Sequence, residues 1–302
     1  MIPYAAMSAT TEVPGAFRHA AGEQGPISLV REGITDIRSR QRLVRYLTTA
    51  DMHKRGADTL LGNIWWVLDP LLQMLVYLIF VTIITNQQVP GYPLFIFAAI
   101  LPWKWFTASV GDAATSVVSQ GNLIKQIAFP KLVLPVSAVT SGVVGFAFGL
   151  IPLLGLMVFF QDRITPYLLF LPVIAAVQFV FTIGIAFLVA AGNVFFRDLG
   201  NVLRHVLRLW WFLSPGLYSL SKLDSLGIFQ EHPALKTLLM LNPFAVLFEA
   251  YHAVIYGTTN PPGPPTMPNL LSLGILFVVS LVLIAFGTYV FKRLEPNFAK
   301  VL

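Results

Sequence analysis

The sequence predicts an all-α, polytopic membrane protein: six transmembrane helices, an N-terminal amphipathic helix lying in the interface, and a re-entrant outer helix pair between spans five and six. Three observations carry this. The 302 residues are 56% hydrophobic and 11% charged, with a mean hydropathy of +0.73, far too apolar for a soluble globule. Apolar runs recur that reach the ~20 residues a helix needs to cross a ~30 Å hydrocarbon core. Lysine and arginine gather beside those runs, as membrane topology demands, so the net charge of +6 does not point to nucleic acid.

Residues 1–25 are rich in Ala, Gly, Thr and Pro without periodicity and read as a disordered cytoplasmic tail, with no secretory signal evident. The segment 26–63 leads to the membrane. Within it Ile27, Val30, Ile34, Ile37 and Val44 follow three-to-four spacing while Arg31, Arg38, Arg40, Arg42 and Arg45 take polar positions, the pattern of an interfacial helix. The remaining 64–302 form the six-span domain, with spans at about 65–85, 94–118, 132–160, 167–194, 203–220 and 270–291. The loop 86–93 has no lysine or arginine and fits the outer face. In the third span Gly142, Gly145 and Gly149 would let another helix approach closely, for internal packing or for a dimer seam.

The fifth span is short and starts with Arg204, His205 and Arg208. After it, 237–256 is apolar enough to enter the membrane, but Asn242-Pro243 breaks the run and Glu249 and His252 interrupt it. Parity decides its fate. If it crossed, Lys292, Arg293 and Lys300 would lie outside; with six spans, 16 of the 20 lysines and arginines are cytoplasmic and three are in outer loops. We therefore read 237–256 as a re-entrant or interfacial pair held by protein rather than lipid.

Catalytic signatures are missing. There is no cysteine, and no Gly-x-x-x-x-Gly-Lys-Ser/Thr loop to hold ATP. The five histidines show no ligand spacing, and no Gly-x-Ser-x-Gly elbow occurs. The tryptophans are more informative. Trp65 and Trp66 sit where an aromatic belt is expected. Trp103, Trp105, Trp210 and Trp211 fall near the midplane, where indoles either stack on sugar rings in a channel or simply pack. Lys104 and Asp112, eight residues apart, could border one polar face of that channel, while Asp69 reaches the interface. Arg55, Arg197, Arg204 and Arg208 would supply donors to an anionic headgroup at the cytoplasmic mouth, though positive-inside topology explains them equally.

One stretch stands apart. Residues 121–135, GNLIKQIAFPKLVLP, form a short cytoplasmic connector between two spans. Asn122, Lys125, Gln126 and Lys131 make it polar, while Leu123, Ile124, Ile127 and Phe129 recur at helical spacing, so a short amphipathic helix would present a small apolar face outward from the membrane domain until Pro130 stops it. The run Leu123-Ile124-Lys125-Gln126-Ile127-x-Phe129-Pro130-Lys131 resembles a loop in the membrane subunits of ABC exporters for bacterial cell-surface polysaccharides, the O-antigen and teichoic-acid permeases. Thr59-Leu60-Leu61-Gly62-x-x-Trp65, Phe195-Phe196-Arg197-Asp198, Ser214-Pro215-x-x-Tyr218, Asn242-Pro243 and the basic, aromatic tail extend the resemblance in order. Gln126 stands where that family usually has a second basic residue, and Gly56-Ala57-Asp58 replaces its tyrosine and basic residues.

The resemblance implies a coupling helix that docks on a separate ATPase subunit, which would bind the ATP and magnesium. It also implies a homodimer of permeases with two ATPases in the bacterial inner membrane, both termini cytoplasmic, moving a lipid-linked polysaccharide outward. Trp103, Lys104, Trp105, Asp112, Trp210, Trp211 and Tyr218 would then line the channel, and Asn242, Pro243 and Glu249 would belong to an outer gate. The chain itself would need no cofactor. Two rivals remain: a drug or small-lipid exporter of the same class, and a membrane-embedded glycosyl- or acyltransferase, for which Asp112, Glu249 and His252 are the only loose candidates.

Overall fold

The computed structural model describes residues 25–56, 61–84, 91–127, 129–218, 239–257 and 263–302, and every regular element within them is helical. Most of the predicted tail, most of the loop 86–93 and the stretch 219–238 lie outside the described residues. The helices, in order, are α1 (Pro26–Ser39), α2 (Gln41–Gly56), α3 (Trp65–Ile79, continued by a π-turn, Phe80–Ile84) and α4 (Tyr92–Ser116). There follow α5 (Gly121–Gln126), α6 (Val133–Met157), α7 (Leu171–Phe195), α8 (Leu199–Leu213), α9 (Pro243–Ile255) and α10 (Leu270–Val301). Five segments are long and apolar enough to cross a membrane: Trp65–Thr82, Tyr92–Gln126, Val133–Met157, Pro166–Phe195 and Leu270–Val301. At 15 residues, α8 falls short of that length.

The single N-terminal helix expected from periodicity is two helices. They part at Arg40 (φ −112°, ψ 24°), just after the Ser39 hydroxyl donates to the Asp36 carbonyl and competes with the backbone ladder. α1 lies along α10. α2 lies on α6, where the Ser141 hydroxyl donates to Asp51 (2.5 Å).

The hub is α4, buried along most of its length against α3, α6, α7, α8 and α9. Pro102 interrupts its ladder. There the buried Gln178 of α7 donates to the Pro102 carbonyl (2.8 Å) and accepts from the Tyr251 hydroxyl of α9 (3.0 Å), so three helices share one polar bridge. α6 meets α4 through Gly142 and Gly149: a Cβ at Gly149 would stand 2.0 Å from Leu101 Cδ1. α7 and α10 form the most extensive helix pair, closest where a Cβ on Gly287 would lie 2.9 Å from the Gly184 carbonyl oxygen.

At one end of the bundle the C-terminal halves of α4, α7 and α10 meet α5 and the start of α6. Val117, Ile124, Leu132, Val194, Phe291 and Phe298 form an apolar cluster there. α10 continues ten residues past the predicted span into this region.

At the opposite end the Tyr92 hydroxyl donates to the Leu217 carbonyl (3.2 Å), so the segment after α8 reaches the level at which α4 begins. Arg163 donates to the Tyr256 and Gly263 carbonyls (2.5 and 2.6 Å) and lies over the Tyr256 ring. α9 runs antiparallel to α4. Its first residues meet the middle of α4, Phe244 lying 4.7 Å from Trp103 and 4.6 Å from Phe106, while His252 stacks on Phe95 (3.9 Å) and Tyr256, just past α9, meets it edge-on (5.2 Å). At ~1.5 Å per residue, Asn242 therefore sits roughly 17 Å along α4 from its start.

Candidate functional site

The connector is built with one face rooted and one face free. A 3-10 turn, Val118–Gln120, carries the chain from α4 into α5. Ile124 is 6% exposed and plugs the apolar cluster beneath, and the half-buried Phe129 packs against it from beyond the helix. Asn122, Lys125, Gln126 and Ile127 face outward, Ile127 with 55% of its surface exposed. Leu123 and Pro130 are half-buried between the two faces. After α5 the backbone turns extended at Ile127 (φ −129°, ψ 131°).

The far side of the connector is pinned electrostatically. The Lys131 backbone N–H donates to Glu295 Oε1 (3.1 Å), and its ammonium lies 3.7 Å from the same carboxylate. Glu295 shares Lys292 (3.1 Å) with Glu32 (2.9 Å) and Asp36 (2.8 Å) of α1. One lysine thus joins α1, α10 and the connector. Sequence reasoning missed this junction, because its members are up to 263 residues apart. The available local signals were the Glu32 and Asp36 pair amid arginines and the i, i+3 spacing of Lys292 and Glu295.

At mid-depth, successive residues of α4 point about 100° apart, so the expected channel residues go to three different neighbours. Trp103 is buried and packs on Trp211 (5.5 Å), Trp210 (6.2 Å) and Phe244. Lys104 pairs with Asp69 of α3, which the sequence reading had sent to the interface. Trp105 turns to α6, 4.9 Å from Phe146. Asp112 is half-buried two turns on, and Tyr218 is half-buried past α8.

Trp210 is committed elsewhere. Its indole N–H donates to Asn242 Oδ1 (2.9 Å), which also caps α9 by accepting from the Phe244 N–H (3.0 Å), while Asn242 Nδ2 donates to the Ser214 hydroxyl (2.8 Å). Pro243 then occupies the first helical position, where its missing N–H costs nothing. Glu249 is exposed on α9. The buried Trp211 completes the aromatic cluster.

Arg197, Arg204 and Arg208 are exposed near and along α8, Arg204 donating to Asn201 (2.5 Å). Arg55 is the last residue but one of α2, and its side chain lies outside the described residues. Between α3, α4 and α6 a cavity of about 270 Å³ is lined by Trp65, Trp66, Asp69, Lys104, Trp105 and Gly142, among others. No group of three His, Asp or Glu side chains among the described residues could hold a metal.

No family model matches the chain. It is 32% identical over 274 residues to the O-antigen export system permease protein RfbA of Myxococcus xanthus, a match covering 91% of this chain and 99% of that protein. The chain belongs to the O-antigen export permease family. Two O-antigen export permeases of Klebsiella pneumoniae, also named RfbA, are 26% and 24% identical over 263 and 261 residues, each covering 86% of this chain and 95% of their own length. As an ABC type-2 permease of this family, the chain is a multi-pass membrane protein and a transport component rather than an enzyme.

Proposed function

We propose that this permease carries a lipid-linked polysaccharide of the O-antigen type from the cytoplasm to the outer face of the inner membrane. It would work as a homodimer with two ATPase subunits that bind the ATP and magnesium. Residues 121–131 are the coupling segment, and the end bearing α5 and both termini is cytoplasmic. The observation that carries the coupling reading is the two-sided build of the connector: Ile124 rooted in the core, Lys131 tied to Glu295, and Asn122, Lys125, Gln126 and Ile127 turned outward. A polar helix with one exposed isoleucine suits a protein groove.

Six crossings follow if α8 and residues 214–218 count as a broken fifth span, supported by the Tyr92 to Leu217 hydrogen bond at the far end. α9 is then the outgoing limb of a re-entrant pair, supported by the depth at which Phe244 meets Trp103. α1 and α2 lie at the cytoplasmic interface. Arg55, Arg197, Arg204 and Arg208 attract the anionic headgroup, and Asn242, Pro243 and Glu249 belong to the outer gate. Asp112, Trp210 and Tyr218 border the route, with Trp103 and Trp211 shaping its wall from behind.

The test uses the absence of cysteine. Gln126→Cys gives one reactive thiol, and crosslinking from it in native membranes should capture an ABC ATPase subunit. A thiol that reacts with cytoplasmic reagents yet captures no ATPase, with or without nucleotide, would overturn the coupling reading.

A further inference from the structure

The Lys104–Asp69 pair belongs neither to the coupling surface nor to the aromatic cluster; it forms one wall of the cavity between α3, α4 and α6. Charges at this depth are costly unless they serve a cavity or a partner. This pair is not sealed: Asp69 keeps 63% of its side-chain surface exposed and Lys104 25%. Beside it Trp105 borders the same cavity, its side chain only 4% exposed and its indole N–H packed toward Gly142.

We infer that this cavity binds the headgroup of a zwitterionic phospholipid, its phosphate on Lys104 and its ammonium on Asp69. The charge pattern selects that class. A wall with one cation and one anion complements a molecule carrying both, whereas a pyrophosphate would meet a single cation beside a repelling carboxylate. A neutral sugar would need neither charge. The volume, about 270 Å³, lies just below the ~300–1,000 Å³ of drug-sized pockets, which suits a headgroup rather than an oligosaccharide.

Position agrees. Asp69 is one turn from Trp65 and Trp66, roughly 6 Å along α3, and both tryptophans line the same cavity, which joins the mid-depth pair to the aromatic end of that helix. From there α3 offers an acyl chain a bed: Leu72, Leu75, Val76 and Ile79 are exposed, and of its residues only Pro70 is buried. The inference goes beyond the export reading and does not depend on it.

Native mass spectrometry of the full chain, loaded with equal amounts of phosphatidylethanolamine and phosphatidylglycerol, tests it. Phosphatidylethanolamine should be retained preferentially. Lys104→Gln and Asp69→Asn should each weaken its retention about tenfold, the effect of losing one charged contact. Gly145→Leu keeps both charges but fills the cavity, since a Cβ at Gly145 meets nothing within 4 Å. That variant should abolish the preference with helix content unchanged. Equal retention of the two lipids, preference for phosphatidylglycerol, or undiminished retention in Gly145→Leu would each overturn the inference. So would displacement of the lipid by a soluble hexoside, which would give the cavity to a sugar ring.

Discussion

Lys292→Leu should release α1 from α10. The ammonium holds Glu32, Asp36 and Glu295 at 2.9, 2.8 and 3.1 Å, and is itself only 9% exposed. At an effective dielectric of about 20 each such contact is worth about 5–6 kcal/mol before desolvation. Removing one partner of a buried pair costs about 3–5 kcal/mol, mostly as the penalty on the charges left behind. Glu32 is nearly half exposed and adds little; Asp36 and the 12%-exposed Glu295 carry the effect. A local loss of about 3 kcal/mol would raise the opening of α1 by about a hundredfold. Hydrogen exchange across residues 26–39 reads this directly, with Lys292→Arg as the charge-preserving control. Exchange in α1 within about threefold of the wild type would show that the junction does not hold the helix, since the predicted change is ~100-fold.

Three further expectations follow from the packing. Ile127→Asp should abolish ATPase-coupled export yet leave the melting temperature unchanged, because Ile127 faces outward, whereas Ile124→Asp buries a charge and should destabilise the fold; thermal melting beside an export assay separates them. Gly287→Ala drives a Cβ toward the Gly184 carbonyl oxygen and should cost about 1–3 kcal/mol, while Gly274→Ala, with nothing within 4 Å, should be neutral or slightly stabilising; melting of the two proteins checks the contrast. Asn242→Ala removes a helix cap and leaves the Trp210 N–H without its acceptor, so a loss of about 2–3 kcal/mol should accompany a shifted tryptophan emission.

The long spans were legible because each is a sustained apolar run: α4, α6 and α7 begin and end within about four residues of the sequence estimate. Legibility fell where contacts rather than composition set the boundary. α10 outruns its apolar stretch because Lys292 and Glu295 find partners on α1 and the connector, which no local window contains. α8 is helical only to Leu213, since Ser214 and Pro215 break it. For the site, the connector's place was legible but its orientation was not: its apolar spacing reads as a greasy face turned outward, whereas Ile124 is buried in the cluster beneath and Asn122, Lys125 and Gln126 face out. The aromatic and charged residues of α4 could not be read, because rotation by 100° per residue sends Trp103, Lys104 and Trp105 to partners that only the fold identifies. Spacing places Lys104 and Asp112 along one polar face of the same helix, and in the structure Lys104 pairs with Asp69 of another.

The antiparallel pairing of α4 with α9 also sets a clock on biosynthesis. Phe244 follows Trp103 by 141 residues, so at ~5–20 residues per second the ribosome needs roughly seven to thirty seconds to deliver the helix that covers α4's aromatic face. Through that interval Gln178 waits for the Tyr251 hydroxyl, and Trp210, once made, waits for the carbonyl of Asn242. The nascent chain must therefore live as a half-assembled bundle in lipid, with α4, the least apolar of its five long spans and the most buried in the finished fold, waiting for its last neighbour.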